Sequence, residues 1–197
     1  VIALLNRRIK DPTSDKDRIV GIAIEGGSIR GVVSAAILDA LNEFDIEKTI
    51  DMSFGTSSGG LNSLYFPNKD MNLARSIYSE NAVSKECINV FAYPNMLNVK
   101  WLVDSWISDK KRFNQDSIKN SNSIEFFVTA TNAETSQTRW FSSKKGSWEN
   151  FQKGYRASCL QPIVCSDTEV IDENVYIDGF LHAAIPIDKA IELLKKA

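Results

Sequence analysis

The sequence predicts a layered α/β fold around a mainly parallel central sheet. Short β-rich apolar runs alternate with amphipathic segments of helical spacing, the pattern of strand–helix–strand units. Glycine-rich turns stand where an apolar run ends and a helical segment begins, at Gly26-Gly27 and from Gly55 to Gly59. The 197 residues, 43% of them apolar, suffice for one core. No repeat, low-complexity tract or linker divides them, so residues 1–197 are expected to form a single domain with its core at about 19–190. A missing initiator Met and an end inside a helical segment are what a fragment or a processed form would have.

Residues 1–18 are polar and mixed, and Asp11-Pro12-Thr13-Ser14-Asp15 reads as a loop. Ile19 to Ile24 reads as a buried parallel strand. Val33, Ala36, Ile37, Ala40, Leu41 and Phe44 recur at helical spacing and predict an amphipathic helix over 30–45. A strand over Ile50 to Phe54 runs into Gly55, and a helix from Ser58 ends before Pro67. Met71 to Ala82 reads as helix. The stretch from 87 to 113 has no clear period. Ile124 to Thr131 and Thr138 to Ser142 read as paired strands. Trp148 to Ser158 is helical, Val175 to Ile177 a short strand, and Ile187 to Lys196 a closing helix.

Composition removes several function classes. The net charge of −2, with both signs mixed along the chain, argues against a nucleic-acid partner. A local patch would still suffice for a membrane encounter. The three cysteines, Cys87, Cys159 and Cys165, are odd in number and lack a Cys-x-x-Cys, which points away from a disulfide framework and toward a reducing compartment. The cytoplasm or a membrane periphery fits. One histidine, His182, does not make a zinc site with them, so neither metal nor cofactor is expected. No run of 18 apolar residues exists, hence no transmembrane segment.

Chemistry concentrates in three places. Gly55-Thr56-Ser57-Ser58-Gly59 matches G-x-S-x-G between an apolar strand and an apolar helix. Such a turn pushes a serine hydroxyl out of the sheet at a helix N-terminus, where developing negative charge is favoured. The alternative is a chance Gly/Ser turn. Gly26-Gly27-Ser28-Ile29-Arg30-Gly31 follows the first buried strand. A dinucleotide fingerprint needs glycine at 28 and a P-loop needs Lys after Gly31, and both fail. What remains is a loop of free backbone N–H groups suited to an oxyanion, or a plain strand-to-helix turn. Asp178-Gly179 ends the Val175–Ile177 strand and reads as an aimed carboxylate or as an ordinary Asp-Gly turn. A Ser-His-Asp triad would need an imidazole. His182 reads as a surface or satisfied histidine, which leaves Asp178 itself to take the serine proton.

Together and in this order the motifs resemble the patatin-like phospholipase family. That family is marked by a strand and D-G-G-G-x-R-G, then G-x-S-x-G, then a late D-G-G or D-G-A. Here they stand as Glu25-Gly26-Gly27-Ser28-Ile29-Arg30-Gly31, Gly55-Thr56-Ser57-Ser58-Gly59 and Asp178-Gly179-Phe180. Arg156-Ala157-Ser158 with Pro162 resembles a further family segment, so the likeness spans about 19–190. The resemblance implies a three-layer α/β/α fold with a mainly parallel central sheet, and a Ser–Asp dyad that hydrolyses acyl esters of phospholipids, lysophospholipids or other lipids at a membrane surface, without metal or cofactor. It makes Ser57 the nucleophile and Asp178 the base. Gly26, Gly27 and Ser28 become the oxyanion hole, with Arg30, Gly31, Gly55, Gly59 and Gly179 in support.

Three positions depart from the family. Ser28 replaces a glycine and strains the loop if that position needs positive φ. Glu25 replaces aspartate. Phe180 replaces a small residue and would narrow the site or line an acyl pocket. Arg30 reads as a loop-orienting residue, a phosphate contact or a helix-surface arginine. Phe91, Tyr93, Met96, Leu97, Trp101 and Trp106 read as core, as an acyl groove or as a membrane-facing lip. Lys110-Lys111-Arg112 reads as a solvated cluster or a headgroup contact. An acyltransferase using the same serine, and a non-catalytic lipid-binding module, are the rival readings.

Overall fold

The structure is a computed structural model that describes residues 1–108, 115–119 and 124–196. Lys110-Lys111-Arg112 and the side chain of Trp106 lie outside the described residues. The strands are β1 (Gly21–Ile24), β2 (Met52–Thr56), β3 (Glu125–Asn132), β4 (Thr138–Ser142), β5 (Glu169–Ile171) and β6 (Asn174–Asp178). The helices are α1 (Ile2–Lys10), α2 (Gly31–Glu43), α3 (Ser58–Tyr65), α4 (Met71–Ser76), α5 (Val99–Ser108), α6 (Gln115–Lys119), α7 (Trp148–Ala157), α8 (Phe180–Ala183) and α9 (Ile187–Lys196).

The sequence Glu-Phe-Phe-Val-Thr-Ala-Thr-Asn is aromatic and β-branched, and all eight residues are buried as β3. β1 pairs with β2 and β2 with β3 in parallel, whereas β4 and β6 run antiparallel to β3 and β5 antiparallel to β6. β1, β2, β3 and β5 therefore point the same way and most strands are parallel in direction, as expected. Successive residues of β3 face opposite layers. Phe126, Val128 and Ala130 join the main core, which includes Leu61 and Leu64 of α3 and Phe151 and Tyr155 of α7. Phe127 stacks on Phe54 at 4.9 Å under Ala190 of α9, which covers the other face.

One feature of β3 prepares the site. Thr129 pairs with Thr56 on one edge and Trp140 on the other, while Ala130 pairs with Asp178 and Arg139. β4 thus runs unbroken along one edge. The other edge passes from β2 to β6 between two adjacent residues, so the end of β2 meets the end of β6.

Several elements differ from the sequence reading. β5 and α1 are additions. α1 is anchored by a charged residue rather than an apolar face: Arg8 is buried and donates to Thr49 O at 2.8 Å, to Asp51 Oδ2, to Asp15 O and to Arg18 O. Asp51 Oδ2 also accepts from Val20 N at 2.9 Å, which joins the helix to the entries of β1 and β2. α2 is present, but its buried face is Gly31, Ala35, Leu38 and Asn42, and Val33, Ile37 and Phe44 are exposed. The helix from Met71 passes into a π-helical turn over Ile77–Asn81. The unassigned stretch after Cys87 is a bridged loop, Ile88 opposite Leu97, followed by α5.

Removing Arg8 takes the buried cationic donor from the Asp51 carboxylate and from three backbone carbonyls. Arg8→Ala should lower stability by about 3 kcal/mol in urea unfolding, with secondary structure retained.

Candidate active site

The turn from β2 into α3 needs two backbones in near contact. A Cβ on Gly55 would lie 2.4 Å from Gly60 Cα, and one on Gly59 2.4 Å from the Ile24 and Glu25 carbonyls. No larger residue fits between strand and helix there. Ser57 occupies the apex at φ 52° and ψ −127°, a strained conformation for a residue with a side chain. Its N–H donates to Ser158 Oγ at 2.8 Å, and its carbonyl accepts from Leu61 N at 3.2 Å. Thr56 is tied twice, to Thr129 Oγ1 and to Ala183 O, both at 2.8 Å.

Asp178 ends β6 with its N–H on Leu160 O at 2.9 Å. The three residues Ser158 to Leu160 therefore hold both the elbow and the carboxylate. Gly179 makes the turn directly over Thr129, where a Cβ would come within 2.3 Å of Oγ1. Ser57 Oγ donates to Asp178 Oδ2 at 3.1 Å, and Phe180 N donates to Oδ1 at 2.8 Å. The carboxyl is only 3% exposed, and burial pushes its pKa up to about 6 against the lowering pull of the Phe180 and Ser57 hydrogen bonds. His182 is exposed on α8 and does not stand between serine and carboxylate. Cys159 lies beside the site, and burial together with the Asp178 charge holds its thiol far above the usual range.

The glycine loop divides its amides. Gly26 N–H donates to Ala184 O at 3.0 Å and Gly27 N–H to Ser58 Oγ at 2.9 Å. Both fasten the loop to its surroundings. Ser28 opens a 3₁₀ turn at φ +53°, and its N–H meets no acceptor among the described residues. This is the left-handed conformation in which serine replaces a glycine at some cost. Gly31 closes the loop against Tyr78 and Ser58, and its carbonyl accepts from Asn62 Nδ2 at 2.8 Å. Arg30 is exposed, and its guanidinium makes no ion pair among the described residues.

Two hollows meet at Ser57 and Ser28. One, of about 220 Å³, is almost wholly apolar, with Leu61, Ile77, Ile88, Leu97, Val99 and Leu102 on its walls. The other, of about 280 Å³, is bordered by Arg30, Gln161, Asp178 and Phe180. Phe180 thus borders this second cleft rather than the apolar cavity. Gln161, Thr129 and the clamping role of Ser158 are absent from the sequence reading. Only Ser158 left a signal there, as part of the Arg156-Ala157-Ser158 segment.

Among the described residues no helix is long and apolar enough to cross a membrane. No curated protein sequence matches the chain. The model of one family, patatin-like phospholipase, matches residues 22–191, well over half the chain and all three motifs. That family comprises esterases and phospholipases acting on lipids, and the chain belongs to it.

Proposed function

We propose that the chain is one catalytic domain that cleaves acyl esters of lipids, of phospholipase A or lysophospholipase type, through a Ser57–Asp178 dyad. The observation that carries this reading is the direct Ser57 Oγ to Asp178 Oδ2 hydrogen bond on a carboxyl pushed up to about 6. A carboxylate at its ordinary value accepts a serine proton poorly, and the raised value brings it nearer the operating pH.

Ser57 Oγ attacks the ester carbonyl carbon as its proton passes to Asp178 Oδ2. The tetrahedral oxyanion forms beside the Gly26-Gly27-Ser28 loop. There the Ser28 N–H is the donor free to meet it, while the Gly26 and Gly27 amides hold the loop in place. Collapse expels the alcohol, which takes the proton from Asp178. Water then attacks the acyl-serine with Asp178 again as base, and the serine is released. The apolar cavity suits the acyl chain, and the cleft beside Arg30 and Gln161 suits a polar leaving group.

Turnover of a medium-chain nitrophenyl ester tests the dyad. Ser57→Ala and Asp178→Ala should each lower kcat by about 10,000-fold or more, with His182→Ala unchanged. Full activity in Asp178→Ala would overturn the assignment. Because the base must be ionised, kcat/KM should rise about tenfold per pH unit up to about 6 and then level.

The same carboxyl sets a stability trade. Its folded pKa of about 6 lies above the ordinary 3.8, so between these values the folded chain holds the extra proton and stability falls as pH rises. Asp178→Asn buries no charge and should gain about 2 kcal/mol on the parent between pH 4 and 7, read by urea unfolding at the two pH values.

Ser28 gives a third test. Ser28→Gly suits φ +53° and should keep kcat within about threefold, whereas the β-branched Ser28→Val displaces the amide and should lower kcat about 100-fold.

A further inference from the structure

We infer that the loop over residues 89–96, together with Ile163, is a lipid-facing lip that seats the chain on a membrane and feeds the apolar cavity. The inference takes its substrate from the acyl-hydrolase reading and adds the surface that reaches it.

The lip is a built unit. Asn98 N donates to Cys87 O and Asn89 N to Met96 O, each at 2.8 Å, on either side of the Ile88–Leu97 bridge. Residues between Asn89 and Met96 form the tip. Leu97 N donates to Val164 O at 2.9 Å, and Asn95 Oδ1 accepts from Ser166 N at 2.8 Å. These bonds fix the loop to the segment that carries Ile163 and, on the border of the second cleft, Gln161.

The tip turns its apolar groups outward. Phe91 is 96% exposed, Tyr93 75% and Ile163 68%, with Val90 exposed beside them. Single exposed apolar residues are ordinary, but four on one anchored unit mark a surface that meets something. From Ile88 to Val99 the sequence has no charged residue, although 24% of the chain is charged. Its asparagines are exposed, but each side-chain oxygen is taken by a backbone amide: Asn89 Oδ1 accepts from Phe91 N, Asn95 Oδ1 from Ser166 N and Asn98 Oδ1 from Trp101 N. Such a tip enters the headgroup edge of a bilayer with no charge to dehydrate, and its exposed amides stay among the polar headgroups.

Continuity with the cavity identifies the occupant. Ile88 and Leu97, the bridged pair at the root of the tip, are also cavity walls. An acyl chain drawn from a bilayer beside this loop meets apolar cavity wall at its root. A protein partner or a second copy would have no need of that connection.

The test uses the full chain carrying Ser57→Ala, so that nothing is hydrolysed, and sedimentation with phosphatidylcholine vesicles. Phe91→Asp with Tyr93→Asp should lower the vesicle partition coefficient at least about tenfold. In the active chain the same pair should lower hydrolysis of vesicle phospholipid to a similar degree and leave hydrolysis of a soluble short-chain ester within about twofold. Unchanged partitioning would overturn the lip, as would a pair that instead splits a dimer of the chain. If the parent hydrolyses no ester at all, the dyad fails, yet the vesicle comparison still decides the lip.

Discussion

The hydrogen bond from Ser57 Oγ to Asp178 Oδ2 joins residues 121 positions apart, and much of the fold serves to hold its two ends. The ends come from different strands that share one edge of β3. β2 leaves that edge after Thr56, opposite Thr129, and β6 reaches it at Asp178, opposite Ala130. A one-residue slip in either pairing would turn serine or carboxylate to the wrong face. Thr129 adds a second tie, since its hydroxyl bonds Thr56 and its backbone underlies Gly179. The segment after α7 adds a third: Ser158 Oγ takes the Ser57 N–H and Leu160 O takes the Asp178 N–H. Three ties, two from β3 and one from the segment after α7, thus fix one contact, which is what a strained residue at φ 52° requires if it is to persist.

In the proposed dyad, which has no imidazole, the carboxyl that would act as base sits in an unfavourable place for its charge. Burial penalises the charge, while the Phe180 N–H and the Ser57 hydroxyl favour it, and burial is the larger influence. The two carboxylate oxygens divide the work. Oδ1 is steadied by Phe180 N and sets the direction of the group, which leaves Oδ2 facing the serine. A carboxylate with more donors would be a weaker base, and one with fewer would be harder to keep ionised.

The parts of the site legible in the sequence are those governed by local backbone geometry. The elbow, the glycine loop and the Asp-Gly turn each need glycine at set positions, and that need is written in a few consecutive residues. Strands β2, β3 and β4 were legible because their runs are long and β-rich. What the sequence did not disclose depends on distant partners. α1 reads as polar because its anchor is Arg8, whose burial makes sense only once Asp51 and three carbonyls surround it. Gly26 and Gly27 read as equal donors with Ser28, and only the folded chain commits their amides to Ala184 and Ser58. Thr129, Ser158 and Gln161 are ordinary residues in sequence, and only their position along β3 and after α7 makes them part of the site.

The face of α2 is the sharpest case of sequence and structure choosing differently, and the reason is close packing. Helical spacing favours the stripe of Val33, Ile37 and Phe44, yet the helix turns Gly31, Ala35 and Leu38 inward. Gly31 lies against Tyr78 and Ser58, where a Cβ would come within 2.4 Å of the tyrosine oxygen. Had the larger stripe faced inward, the first turn of α2 would stand away from α3, and the loop before it would be drawn off the elbow. Gly27 N–H could not then reach Ser58 Oγ, nor could Asn62 reach the Gly31 carbonyl. The helix therefore forgoes the apolar burial its larger residues would bring, roughly 1.5–3 kcal/mol for each such side chain. The Ser28 amide is thereby kept beside the serine, and the position of the glycine loop decides which face of the helix is core.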